Sequence, residues 1–175
     1  MRLFVAIGFP EAVKEQLEAG MRSLSAQGIR ASWSRRENLH LTLEFLGELE
    51  SVERVIAAMK QVKATPFCLK FASSGRFRQR GGDILWLGFQ PCEALMQLQQ
   101  QLHQALKAQG LPLESRSYRP HLTLARRLRD NGETVFPEPL PPAVLVSEFA
   151  LMRSERTAKG MRYTPLYRRR LEDEP

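Results

Sequence analysis

Two of the chain's three histidines stand in the same tetrapeptide. His40 opens "HLTL" within "NLHLTLEFLG", and His121 opens it again within "RPHLTLAR", 81 residues later. Side chains alternate across a strand, so His40 and Thr42 share one face while Leu39, Leu41 and Leu43 share the other. The same holds for His121 and Thr123 against Leu122 and Leu124. An unperturbed imidazole titrates at about pH 6.5, so one ring can be neutral and the other protonated near neutrality. Set on either side of one phosphorus, two such rings are a general base and a general acid for in-line displacement. Threonine hydroxyls can donate to the non-bridging oxygens, whose charge must be held through the transition state. Taken singly, each motif is explained as well by a His and a Thr that bond within their own sheet.

The elements around the motifs favour chemistry. "FVAIGFPEAVKEQL" and "LWLGFQPCEALMQL" both read as strand, Gly-Phe, proline, acidic residue and amphipathic helix. Gly8 precedes His40 by 32 residues, and Gly88 precedes His121 by 33. Each half thus runs strand, helix, return and HLTL strand, which implies a tandem duplication with repeats of roughly 1–75 and 82–171. A pseudo-twofold arrangement of the halves brings the HLTL strands face to face across a cleft, within one bilobal domain spanning 1–175.

Alternation and β-rich runs predict strands over 2–9, 29–33, 39–46, 67–74, 84–89, 121–125, 143–154 and 161–171. Pro165 predicts an edge or a bulge in the last of these, and Gly160 suits the hairpin turn before it. Helical stripes follow Pro10 (Val13, Leu17, Met21, Leu24), Ser51 (Val52, Val55, Ile56, Met59, Val62) and Pro91 (Leu95, Leu98, Leu102, Leu106). Ser51 is the expected N-cap of the second. "RQRGGD" at 78–83 reads as a hairpin loop, since no helix follows its glycines to cradle a phosphate.

Composition narrows the classes. The hydrophobic share of 43% and charged share of 26% are those of a soluble globular chain, with no run long enough for a membrane span. Cys68 and Cys92 lack the spacing of a disulfide framework or zinc knuckle, so a reducing cytoplasm and two inert, partly buried thiols are expected. The formal charge of +7 suits a polyanionic partner, though on charge alone a solvated, solubilising surface explains it better. Its arginines concentrate at Arg76, Arg78 and Arg80, at Arg126, Arg127 and Arg129, and at Arg168, Arg169 and Arg170. Zinc needs three or four ligands, and neither HLTL has a cysteine or carboxylate beside it. His103 is expected on a polar helix face with Gln99 and Gln100. Chemistry without metal or cofactor is the expectation.

With its paired H-x-T-x motifs the chain resembles the two-histidine phosphoesterase superfamily, and within it the RNA 2′,3′-cyclic phosphodiesterases, also called 2′-5′ RNA ligases. "RLFVAI", "ENLHLTLEFLGE", "SGRF" with "ILWLGF", "RPHLTLAR" and the last hairpin carry that resemblance along nearly the whole chain. It implies an α+β bilobal fold, with two antiparallel sheets lining a central cleft and helices outside. It implies metal-independent opening of a 2′,3′-cyclic phosphate on an RNA end or nucleotide to a 2′-phosphate, with possible ATP-independent 2′-5′ joining. It further implies His40 as the acid for the departing 3′ oxygen and His121 as the base for water, with Thr42 and Thr123 on the phosphoryl oxygens. Symmetry alone leaves acid and base unassigned.

Two substrate contacts are expected from the residues themselves. Phe4 lies on the face of the first strand opposite Leu3, Val5 and Ile7, where an exposed ring can stack on a base, and ordinary packing explains it as well. Arg126, just past the second HLTL, can cover a base or phosphate from the other side. A monomer is expected, since both halves of the site are in one chain. The tail "EDEP" is expected to fray. The competing expectation is a non-catalytic basic module that binds RNA.

Overall fold

The leucines of the two tetrapeptides are buried as alternation requires. Leu39, Leu41 and Leu43 are 0–2% exposed, Leu122 and Leu124 are fully buried, and all four His and Thr side chains are half-buried. The computed structural model describes residues 1–172, so most of the "EDEP" tail lies outside the described residues. It places β1 (Arg2–Gly8), β3 (His40–Glu48), β9 (Glu148–Thr157) and β10 (Gly160–Arg170) in one antiparallel sheet, ordered β10-β9-β1-β3. A second antiparallel sheet runs β2-β7-β6-β5, from β2 (Arg30–Trp33), β7 (Leu122–Arg129), β6 (Asp83–Phe89) and β5 (Phe71–Phe77). The fold is α+β, with helices α1 (Glu11–Ala26), α2 (Glu53–Gln61) and α3 (Glu93–Ala108).

Three strands of each sheet correspond: β9-β1-β3 in the first matches β5-β6-β7 in the second. The fourth strand differs, since β10 extends one sheet beyond β9 and β2 extends the other beyond β7. Strand β2, early in the chain, therefore crosses to the sheet that carries the second motif. Two predicted strands are each broken by one residue. The run 67–74 splits at Lys70 into β4 (Phe67–Leu69) and β5, and the run 143–154 splits at Ser147 into β8 (Val144–Val146) and β9. Strands β4 and β8 pair only with each other, Cys68 opposite Leu145.

The helical stripes bury as the periodicity predicts, with Leu17, Met59, Leu95, Leu98, Leu102 and Leu106 at 0–1% exposure. Each fully buried Leu or Met is worth about 1.5–3 kcal/mol of transfer free energy. Ser51 is not the N-cap of α2; that position falls to Val52, without a side-chain cap. Pro165 sits on edge strand β10 at a register shift, as expected of a residue lacking an N–H. Gly160 lies at φ +109 at the start of β10, beyond the β9–β10 turn. Cys68 is exposed rather than partly buried, because the alternation that turns Leu69 into the core turns its neighbour out.

Candidate active site

Both histidines are held by the same local device. His40 Nδ1 lies 2.6 Å from the carbonyl oxygen of Asn38, and His121 Nδ1 lies 2.7 Å from that of Arg119. A carbonyl only accepts, so each Nδ1 carries a proton and each Nε2 is the nitrogen turned to other partners. Thr42 Oγ1 stands 2.9 Å from His40 Nε2, a bond in which the hydroxyl donates to the neutral ring. Asn38 is itself fixed, its side-chain amide donating to the carbonyl of Met161 on β10 at 3.0 Å. Arg35 donates to the same carbonyl.

Aromatic rings wall each imidazole. The His40 ring centroid is 4.9 Å from Phe4 and 5.2 Å, edge-on, from Tyr163. The His121 centroid is 5.0 Å, edge-on, from Phe77 and 6.3 Å from Trp86. Phe4 is thus on the His40 side of β1, but it is not the exposed ring the sequence suggests. It is 4% exposed, because β1 is a central strand and the β9–β10 hairpin lays Tyr163 against its ring at 5.0 Å. It buttresses the histidine and offers no face to a base.

The two motifs are tied across the halves by reciprocal bonds. Ser34, ahead of the first motif, donates its backbone N–H to Leu124 O and its hydroxyl to Thr123 O, each at 2.9 Å. Tyr118, ahead of the second, donates its hydroxyl to Thr42 O at 2.8 Å. Burial, with the charge of Glu44 second, raises the Tyr118 pKa far above the ordinary phenol value, so this hydroxyl stays a donor. Removing it in Tyr118→Phe is expected to lower kcat roughly tenfold with KM little changed, since the hydroxyl sets motif alignment rather than substrate contact. Steady-state kinetics with a thermal melt separates that from a stability cost of about 1 kcal/mol.

His103 lies on α3 beside Gln99, as expected, and the two share a partner on β3. Its Nδ1 lies 2.8 Å from Glu44 Oε1, while Gln99 Nε2 donates to Glu44 Oε2 at 3.0 Å. Glu44, 8% exposed on the strand of the first motif, is a buried carboxylate that needs those partners. His103 and Gln99 of α3 thus reach β3 through Glu44, while Gln100, Gln101 and Gln104 of the same helix are exposed. Among the described residues no three His, Cys, Asp or Glu side chains cluster as a metal site would.

The electrostatics are asymmetric. Desolvation pushes the His40 pKa below 6.5; the Asn38 carbonyl opposes this, and the charges of Arg126, His121 and Lys14 add to it. Arg126 of β7 and His121 thus act on a histidine of the other sheet, and β3 and β7 are in direct contact. Arg126 itself is exposed, next to Arg127, which takes a left-handed φ of 53. Because the folded pKa of His40 lies below its unfolded value, the unfolded chain binds more protons between the two. Stability contributed here is intact above about pH 6.5 and falls as pH drops from there to the folded pKa. Thermal melts at stepped pH should show this loss in the parent and a smaller one in His40→Gln.

A family model described as the 2′-5′ RNA ligase superfamily matches residues 10–158. The chain belongs to this superfamily. An RNA 2′,3′-cyclic phosphodiesterase of Thermotoga maritima is 32% identical over 95% of this chain and 94% of its own length. One from Escherichia coli is 33% identical over the same two shares. Among solved structures, E. coli LigT complexed with 3′-AMP superposes with a TM-score of 0.81 at 30% identity, covering 98% of each chain. Sequence reasoning did not find Tyr118, Tyr163, Phe77, Trp86, Asn38 or Lys14. Of these only Trp86 carried a signal, as the one bulky aromatic that interrupts the β6 repeat of "FVAIGF".

Proposed function

We propose that the chain is a metal-independent RNA 2′,3′-cyclic phosphodiesterase whose catalytic residues are His40, Thr42, His121 and Thr123. The observation that carries this is the matched tethering of the two imidazoles, each with Nδ1–H on the carbonyl two residues before it, which turns Nε2 away from that carbonyl and, in His40, toward the Thr42 hydroxyl. His121 Nε2 takes a proton from water as its oxygen bonds to phosphorus. The P–O3′ bond breaks and His40 Nε2–H protonates the departing O3′, leaving a 2′-phosphomonoester and a 3′-hydroxyl. Burial lowers the His40 pKa, a phosphate anion beside the ring opposes that shift, and an imidazolium of intrinsically low pKa is the stronger acid toward an alkoxide.

Thr42 and Thr123 hold the non-bridging oxygens, and Arg126 adds positive charge beside them. Thr42→Val and Thr123→Val should each lower kcat roughly 10- to 100-fold, within the range of losing one transition-state donor. With a 5′-hydroxyl in place of water, the same step joins two RNA ends 2′-5′ without ATP, as the superfamily's description suggests. The chain acts as one bilobal, duplicated domain, a monomer of the reducing cytoplasm. Among the described residues no helix is long and apolar enough to cross a membrane.

The competing account is a basic module that only binds RNA. It predicts salt-sensitive binding that survives loss of both histidines, without turnover. Incubating the protein with a nucleoside 2′,3′-cyclic phosphate in the presence of a chelator decides between them. Hydrolysis supports the enzyme, and its absence with retained RNA binding supports the module.

A further inference from the structure

The two halves differ where they should match. In the paired sequences "FVAIGF" and "LWLGF", Gly8 corresponds to Gly88 and Ala6 to Trp86. Trp86 lies over Gly75 and Gly88: a Cβ on Gly75 would sit 2.3 Å from the indole, and one on Gly88 would sit 3.3 Å from it. A Cβ on Gly8 meets nothing within 4 Å. The space the indole fills beside His121 is therefore open beside His40. It forms a trough of about 460 Å³ with Ala6, Gly8 and Ala150 among its lining residues. That volume falls within the roughly 300–1,000 Å³ of small-ligand sites.

The trough has apolar and charged walls, with the carboxylates Glu37 and Glu148 among its lining residues. Tyr163 and Pro165 line it, as do Lys14 of α1 and Arg168 of β10. Glu11, the carboxylate 3.8 Å from Lys14, is already engaged by Arg36, which donates to its Oε2 at 3.2 and 3.1 Å. The Lys14 side chain is only 16% exposed, and its charge acts on His40. Arg168 pairs at 3.0 Å with Glu148, a half-exposed partner that a phosphate can displace or share.

We infer that this trough seats the terminal nucleotide of the substrate, its ring system against Tyr163 and its own 5′-phosphate on Lys14 and Arg168. The substrate class is then a cyclic phosphate on a chain or nucleotide that carries a 5′-phosphate, in preference to a bare nucleoside cyclic phosphate. The inference rests on the hydrolase reading above and adds polarity to it. The ribose that carries the departing O3′ has room on the His40 side, where the corresponding space beside His121 is filled by the indole.

The test compares kcat/KM for adenosine 2′,3′-cyclic phosphate with and without a 5′-phosphate. The parent should favour the 5′-phosphorylated form roughly tenfold or more, as a charge-assisted phosphate contact implies. Lys14→Met and Arg168→Met should each bring that ratio toward one, while Arg22→Met, a cation on the same helix as Lys14 and outside the trough, keeps it. Gly8→Leu, which grows into open space, should weaken competitive inhibition by 5′-AMP at least tenfold. A parent ratio near one, ratios unmoved in both Met variants, or unchanged inhibition in Gly8→Leu overturns the trough assignment while hydrolysis itself stands. Turnover of neither substrate overturns the hydrolase reading and this inference with it.

Discussion

His40→Ala and His121→Ala should each lower the rate of cyclic phosphate hydrolysis by at least about 10³-fold, with the fold intact. A positioned general acid or base contributes roughly 10²–10⁴-fold, and here each imidazole is held through Nδ1 by a carbonyl, with Nε2 of His40 on the Thr42 hydroxyl. The double variant should be little worse than either single one, because an acid without its base gives up most of what the pair contributes. The two sites differ in their structural cost. His40 is wedged between Phe4 and Tyr163, so its loss leaves a space among rings. His40→Gln keeps more of that volume and an amide that cannot transfer the proton, so it separates chemistry from packing. Near-parental rates in a folded His40→Gln or His121→Ala protein would contradict the assignment.

Arg76→Met should be the most destabilising single change on the surface of the second sheet, by about 2–3 kcal/mol, somewhat below the cost of breaking a fully buried pair. For a chain of this size that is a fall in Tm of roughly 4–10 °C. Arg76 Nη1 donates to Asp83 at 2.9 Å, and Nη1 and Nη2 donate to the two oxygens of Asp130 at 3.0 and 2.7 Å. Asp130 also accepts the N–H groups of Gly132 and Thr134. One guanidinium thus joins β5, the start of β6 and the turn after β7. Arg76→Lys should not restore it, since an ammonium lacks the planar fork. Arg76 holds both carboxyls below the ordinary carboxylate range. Their stabilisation is present above about pH 3.8 and is lost as pH falls through the lower folded values. Melts of parent and variant should therefore converge in acid, and parallel curves down to pH 2 would show that the charges of the two carboxyls contribute nothing to the difference.

What sequence revealed and what it hid follow physical lines. Period-2 and period-3.6 patterns report which face a residue buries, so the helical stripes, the HLTL leucines and the edge at Pro165 were legible. Periodicity carries no information on which strand lies alongside. That is why the breaks at Lys70 and Ser147, where the chain leaves a two-stranded pair for a larger sheet, were invisible. Phe4 was misjudged for the same reason: its face was right, but the hairpin that covers it comes from the far end of the chain. The arginine concentrations were also less free than composition suggests. Arg76 is spent on two aspartates, and Arg169 on the carbonyls of Met59 and Val62 that end α2. The four His and Thr residues of the proposed site stood out because the HLTL tetrapeptide occurs twice. Tyr118 and Ser34, which clasp each motif to the other, differ in chemistry and occur once each, so no repeat could mark them.

The most direct test follows phosphorus itself. An RNA oligomer ending in a 2′,3′-cyclic phosphate is incubated with the protein and chelator, and the phosphorus NMR spectrum is recorded over time. The account predicts that the cyclic resonance is replaced by a single 2′-monoester in the parent and persists in His121→Ala. A 3′-monoester, or a cyclic resonance unchanged by the parent protein, would contradict it.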